Sequence, residues 1–170
     1  MERELATLTI LAEVTIAFVA FSAIVASLRV TLGKKLTKFQ NLLVHFFTES
    51  GMLAVSVALL PLVLSGFLQD ELIVARYTIL YTIVATATYL SYYIRRRLRI
   101  GAPTPLPSLI VMIGYGIWMA VMAVTLTEIF WQPSLAIVAA VCLWALCSGA
   151  VVFVSFLATF VDREDEASEK

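Results

Sequence analysis

Five long apolar runs organise the chain, and charged, proline or glycine residues bound each of them. They cover residues 5–28, 42–67, 72–94, 107–130 and 134–161. Each has the ~20 residues that an α-helix needs to cross ~30 Å of hydrocarbon, at about 1.5 Å per residue. A segment in lipid must close its own backbone hydrogen bonds, so all five runs predict helix. Pro61 lies inside the second run, where its missing N–H predicts a kink. Only Glu128, Gln132 and Pro133 interrupt the stretch between the fourth and fifth runs. Pro133-Ser134 suits a helix start with proline in the first turn, which predicts a tight hairpin. A single long broken helix is the alternative for that stretch.

Composition identifies the solvent. Of the 170 residues, 61% are hydrophobic and only 14% charged, with a mean hydropathy of +0.96. A soluble domain is nearer half apolar and a quarter charged. The expectation is an all-α polytopic membrane protein with five transmembrane helices in a single domain. Met1-Glu2-Arg3-Glu4 lacks the basic stretch of a signal peptide, so the first run reads as a retained span.

Formal net charge is zero but unevenly placed. Arg29, Lys34, Lys35 and Lys38 follow the first run, and Arg95, Arg96, Arg97 and Arg99 follow the third. With five spans these two loops share a side, which the positive-inside rule makes cytoplasmic. The N-terminus is then outside, and the acidic tail, 162–170, inside. Lys34, Lys35, Lys38 and the four arginines are expected against anionic lipid head groups. Between residues 100 and 108, Pro103, Pro105 and Pro107 predict a stiff connector. Tyr77, Tyr92, Tyr93 and Trp131 sit near span ends, as interfacial aromatics do.

Two carboxylates inside spans are the candidates for chemistry. A charge near mid-bilayer costs on the order of 2.5–3.5 kcal/mol on insertion scales, so such a group is expected to face protein or water. Steps of three and four through Glu13 give Ala6, Thr9, Ala17, Ala20, Ile24 and Ser27, nearly all small or polar. That pattern predicts a packing or pore-lining stripe. His45 and Glu49 share a face at i, i+4, where imidazole and carboxyl can hydrogen-bond and hold a proton. Mutual satisfaction that pins helix packing is the alternative. The two acids differ in height by roughly 8 Å if the spans stand upright at 1.5 Å per residue. Direct contact is therefore not expected, and Thr9, Thr48 or Ser56 can supply a hydroxyl link. Separate acidic rings in an oligomer are the other arrangement.

Further small-residue stripes mark helix packing: Gly116 and Ala120 with Ala123 and Thr127 in the fourth run, Ala145 and Gly149 in the fifth. Gly114 lies close by, off that face. Thr78, Thr82, Thr86, Tyr89 and Tyr93 share one side of the third run and line a crevice or bond back to their own helix. Cys142 and Cys147 are about 500° apart around a helix and cannot bridge. No phosphate loop, zinc-ligand spacing or nucleophile–base arrangement is visible, so no enzyme, metal, cofactor or nucleic-acid partner is expected.

The run LAEVTIAFVAFSAIVASLR, a basic loop and then FFTESGMLAVSVALLPLVLSG resemble short multi-pass bacterial inner-membrane proteins of uncharacterised activity. The resemblance covers the first third of the chain, implies an inner-membrane setting, and supplies no site residue. The leading functional expectation is an oligomeric channel-like or ion/proton-conducting protein using Glu13 and Glu49. The alternatives are an accessory or scaffold subunit of a larger membrane complex, or a membrane-disrupting effector held in check by a partner.

Overall fold

A computed structural model describes residues 2–31, 37–101 and 106–168. They form five helices: α1 (Glu2–Thr31), α2 (Lys38–Ser65), α3 (Glu71–Ile100), α4 (Leu106–Leu126) and α5 (Leu135–Ser168). Each contains a stretch long and apolar enough to cross a membrane. Four of them outrun ~30 Å: α1 and α3, with 30 residues each, reach about 45 Å.

Local chemistry fixes the ends. Thr37 caps α2 in a capping box: its hydroxyl accepts from Gln40 N at 3.2 Å, and Gln40 Oε1 accepts from Thr37 N at 3.1 Å. Asp70 caps α3 by accepting from Leu72 N at 2.8 Å. Gly101 ends α3 at φ +65°, a left-handed conformation that glycine adopts without steric cost. Ser134 accepts from Ala136 N at 3.1 Å at the start of α5. The chain turns fully between α4 and α5, so the hairpin holds and the long broken helix does not. The helix stops at Leu126, however, short of the expected residue 130, and Pro133 precedes α5 rather than standing in its first turn. α2 runs through Pro61 without ending. α5 carries its helix on to Ser168, through most of the acidic tail.

α5 touches all four other helices, and α2 touches α1, α3 and α5. α1 packs on α2 and α5, and α4 on α3 and α5, so α1 and α4 occupy different flanks. Two core clusters lie at opposite ends. One gathers Leu42, Phe46 and Phe47 from α2 with Tyr93 of α3, Val111 of α4 and Phe156 of α5. The other gathers Leu8, Val57, Val74, Met122 and Leu135. Early residues of one helix thus sit beside late residues of the next, and successive helices run in opposite directions. The end holding Arg95, Arg96, Arg97 and Arg99 is the basic end.

Aromatic edges fill the basic-end core. Phe153 meets Phe18 at 5.7 Å and Phe47 at 5.5 Å between ring centres, both nearly perpendicular. The outer surface is apolar, with Ile10, Phe21, Val63, Ile117 and Val154 all more than half exposed. Continuous exposed apolar surface of this kind suits lipid and would drive aggregation in water.

Candidate functional site

Glu49 sits on the third turn of α2, on the side facing α3. His45 Nδ1 lies 3.1 Å from its Oε1, the i, i+4 contact expected from the sequence. Arg96 Nη1, from the last turns of α3, reaches the same oxygen at 3.4 Å. The two helices are held in register here by aromatic packing. Phe46 lies 4.8 Å from Tyr93 and 6.0 Å from Tyr89 between ring centres, and the Tyr89 hydroxyl donates to Phe46 O at 3.1 Å. All three charged or titratable side chains are partly exposed, at 43%, 36% and 26% for His45, Glu49 and Arg96. The arrangement can hold a carboxylate between an imidazole and a guanidinium, and can pass a proton between imidazole and carboxylate.

Sequence spacing pointed to His45 but not to Arg96, which was expected at head groups. The reason is helical geometry. α3 continues to Ile100, past the expected end at residue 94, so its arginines step around a helix instead of lying along a loop. Arg95 and Arg99 face outward. Arg96 turns to Glu49. Arg97 is buried, 6% exposed, beside Tyr93 and Ser108. Tyr93, expected at an interface, is buried as well, whereas Tyr77, Tyr92 and Trp131 are exposed. Lys38 is exposed at the start of α2; Lys34, Lys35, Pro103 and Pro105 lie outside the described residues, and the connector ends early, because residues 106–108 already belong to α4.

Glu13 occupies a different environment. It is about 16 Å from the first residue of α1 and about 27 Å from the last, at 1.5 Å per residue, so it stands near mid-helix. Its side chain is exposed, and so are Ala6, Ala17, Ala20, Ile24 and Ser27. The face that packs inside the protomer is Leu8, Ala12, Thr15, Val19, Ser22 and Ala26. The small-residue stripe thus points away from the protomer's own helices. Glu13 makes no hydrogen bond or ion pair with any described residue.

The two acids are not brought together: although α1 and α2 pack on each other, Glu13 is on the exposed face of α1 and Glu49 turns toward Arg96 of α3. Nor do two of the expected linkers join them. Thr9 donates to Leu5 O at 3.0 Å, within its own helix. Ser56 donates to Leu53 O at 2.8 Å and lies 3.1 Å from the Tyr81 hydroxyl. Thr48 is half-buried on α2.

The small residues divide by side. Ala145 and Gly149 are buried, and a Cβ on Gly149 would come 3.3 Å from Phe18. Gly116 and Ala120 are exposed, and a Cβ on Gly116 would meet nothing within 4 Å. The close approach on α4 belongs to Gly114, where a Cβ would overlap the Trp144 indole. Sequence reading missed Gly51, where a Cβ would overlap Cγ2 of Val19; that glycine lets α1 and α2 cross closely. A glycine in the interior of an apolar helix was the available signal. Cys142 is buried and Cys147 exposed, both as free thiols.

A second acid–arginine contact lies at the far end, where Arg76 of α3 pairs with Glu128 of the α4–α5 turn. α3 thus supplies an arginine at each end of the bundle. Comparison with protein-family models, with curated proteins and with solved structures finds no match to this chain.

Proposed function

We propose that this protein is a five-span protein of the bacterial inner membrane, N-terminus outside, that assembles into an oligomer and conducts protons or small cations. The observation that carries this reading is Glu13, exposed at mid-helix on a stripe of small residues and unpaired within its protomer. A carboxyl left against acyl chains costs on the order of 2.5–3.5 kcal/mol, which a neighbouring copy or a wet path removes. The stripe permits close helix approach. In an assembly, Glu13 lines an acidic ring near mid-membrane. Glu49 sits nearer the cytoplasmic side, where His45 offers an imidazole in hydrogen-bond contact with it. Arg95, Arg99 and Lys38 face anionic lipid at that side.

Reconstitution tests this. Purified protein in sealed liposomes is expected to pass protons or monovalent cations, and Glu13→Gln and Glu49→Gln are each expected to remove most of that flux. Flux indifferent to both changes overturns the reading.

One observation favours a second reading, an accessory subunit of a larger membrane complex. Glu49 is already held by His45 and Arg96, as structural glue would be. In that case Glu13 and its stripe dock a helix of a different protein. Isolation from native membranes with a stoichiometric foreign subunit, and no flux from the purified chain, distinguishes this case.

A further inference from the structure

A small cavity lies in the middle of the bundle, between α2, α3, α4 and α5. Ser50, Thr82, Thr86, Tyr115 and Cys142 line it, along with small apolar side chains such as Ala54 and Ala145. Measured at the centre of a water-sized sphere it offers about 10 Å³, the room that one water needs. Its hydroxyls are not equally satisfied. Thr82 turns back along α3, donating to Thr78 O at 2.7 Å. Ser50 donates to Phe47 O over a long 3.4 Å. The Thr86 and Tyr115 hydroxyls find no partner among the described residues, although both residues are only 3% exposed. Buried hydroxyls are nearly always bonded to protein or to ordered water. A buried water needs two to four polar partners, roughly, and this cavity supplies them.

The cavity is also joined to the site described above. Ser50 follows Glu49 in the chain, and Tyr89, which packs on Phe46 and donates to its carbonyl, stands beside Ser50. We propose that the cavity is a water site, in which Tyr115, Thr86 and Ser50 hold one ordered water, and that Ser50 and Tyr89 connect this water to the Glu49 cluster. The water sits between the two hydrophobic clusters and is reached from the basic end. It deepens the proton-handling reading, which it needs only for the water's role and not for its presence.

Cys142 provides an internal reporter, since it lines the cavity and its thiol donates, over 3.8 Å, to the carbonyl of Ala54, which lines it too. In Cys147→Ala protein, Cys142 is the one thiol left, and its infrared S–H band can be followed after transfer to deuterated buffer in detergent. The band is expected to convert to S–D at least about tenfold sooner than the backbone amides of α5, which wait for local opening. Thr86→Ile removes a hydroxyl and fills the space, and is expected to slow the conversion by at least about tenfold; Ala145→Leu fills it from α5 should the first variant fail to fold. A thiol that exchanges no faster than those amides overturns the proposal, with or without a cavity variant. So does fast exchange that a folded, filled variant leaves unchanged. The measurement needs no sealed membrane, so a protein that conducts nothing still gives a clear result.

Discussion

Glu49 and Glu13 are both single acids in long apolar helices, yet the bundle treats them oppositely. Glu49 lies on a central helix, and its Oε1 is shared by a histidine one turn away and an arginine from the next helix. Glu13 lies on a flank helix and faces outward, with Thr9 and Ala17 one turn to either side and exposed Ile10 and Ile16 beside it. The difference shows that an acid in an apolar span does not by itself define a site. Its helix's position in the bundle decides whether the acid is consumed inside the bundle or left facing outward. The same division separates Gly51 and Gly114, pressed against Val19 and Trp144, from Gly116, which touches nothing.

The largest expected effect tests that division on the glycines. Gly51→Leu forces α1 off α2, and overpacking of this kind costs about 1–3 kcal/mol, more where backbone must move. Titration of the purified protein with denaturing detergent is expected to show early unfolding for Gly51→Leu and Gly114→Leu. Gly116→Leu is expected to stay within about 0.5 kcal/mol of wild type, as surface substitutions do, while weakening self-association. Equal destabilisation by Gly116→Leu and Gly114→Leu would contradict the assignment of inner and outer faces.

Glu13→Leu comes next. Removing a charge from an outward position near mid-helix favours insertion by on the order of 2.5–3.5 kcal/mol. The isolated protomer is therefore expected to resist detergent unfolding at least as well as wild type. Self-association, read by cross-linking or by mass in detergent, is expected to fall. A variant that unfolds more readily as a monomer would mean that Glu13 has a partner inside the protomer.

Much of this was readable from residues alone, and the failures share one cause. Helix number, the hairpin before α5 and the His45–Glu49 contact follow from period, length and local spacing, all carried within one segment. Arg96, Arg97 and Tyr93 were misplaced because their destinations depend on which helix packs beside α3 and how far α3 continues. The stripe through Glu13 was recognised as small, but α1 has two such faces. Leu8, Ala12, Thr15, Val19, Ser22 and Ala26 were the ones buried, because Gly51 on α2 crosses at Val19. Periodicity reveals that a face can pack closely; it does not say against what. The central cavity is of the same kind, since its hydroxyls come from three helices and a thiol from α5.

A smaller effect is expected from Arg96→Met. It leaves Glu49 with His45 alone, and because both charged groups are partly exposed the loss is about 1 kcal/mol rather than the several expected of a fully buried pair. A double-mutant cycle with Glu49→Gln isolates the pairwise part, expected at about 0.5–1 kcal/mol. Zero coupling would make the contact incidental and return Glu49 to the same standing as Glu13.

The smallest effect is at the far end, where Arg76 and Glu128 repeat the arrangement of Arg96 and Glu49 in a more exposed setting. Glu128 holds φ at +57°, a left-handed conformation that costs a non-glycine residue roughly 1 kcal/mol. Its pairing with Arg76 returns at most about 1 kcal/mol at this exposure. Glu128→Gln keeps the strained backbone and loses the charge, so stability is expected to fall slightly. Glu128→Gly loses the same charge but relieves the backbone, so the two contributions nearly cancel and stability is expected to stay within about 0.5 kcal/mol of wild type. The sign of the difference between these two variants is the test. If glycine is no better than glutamine, the turn is not strained, and the α3 clamp at this end rests on the ion pair as it does at the other.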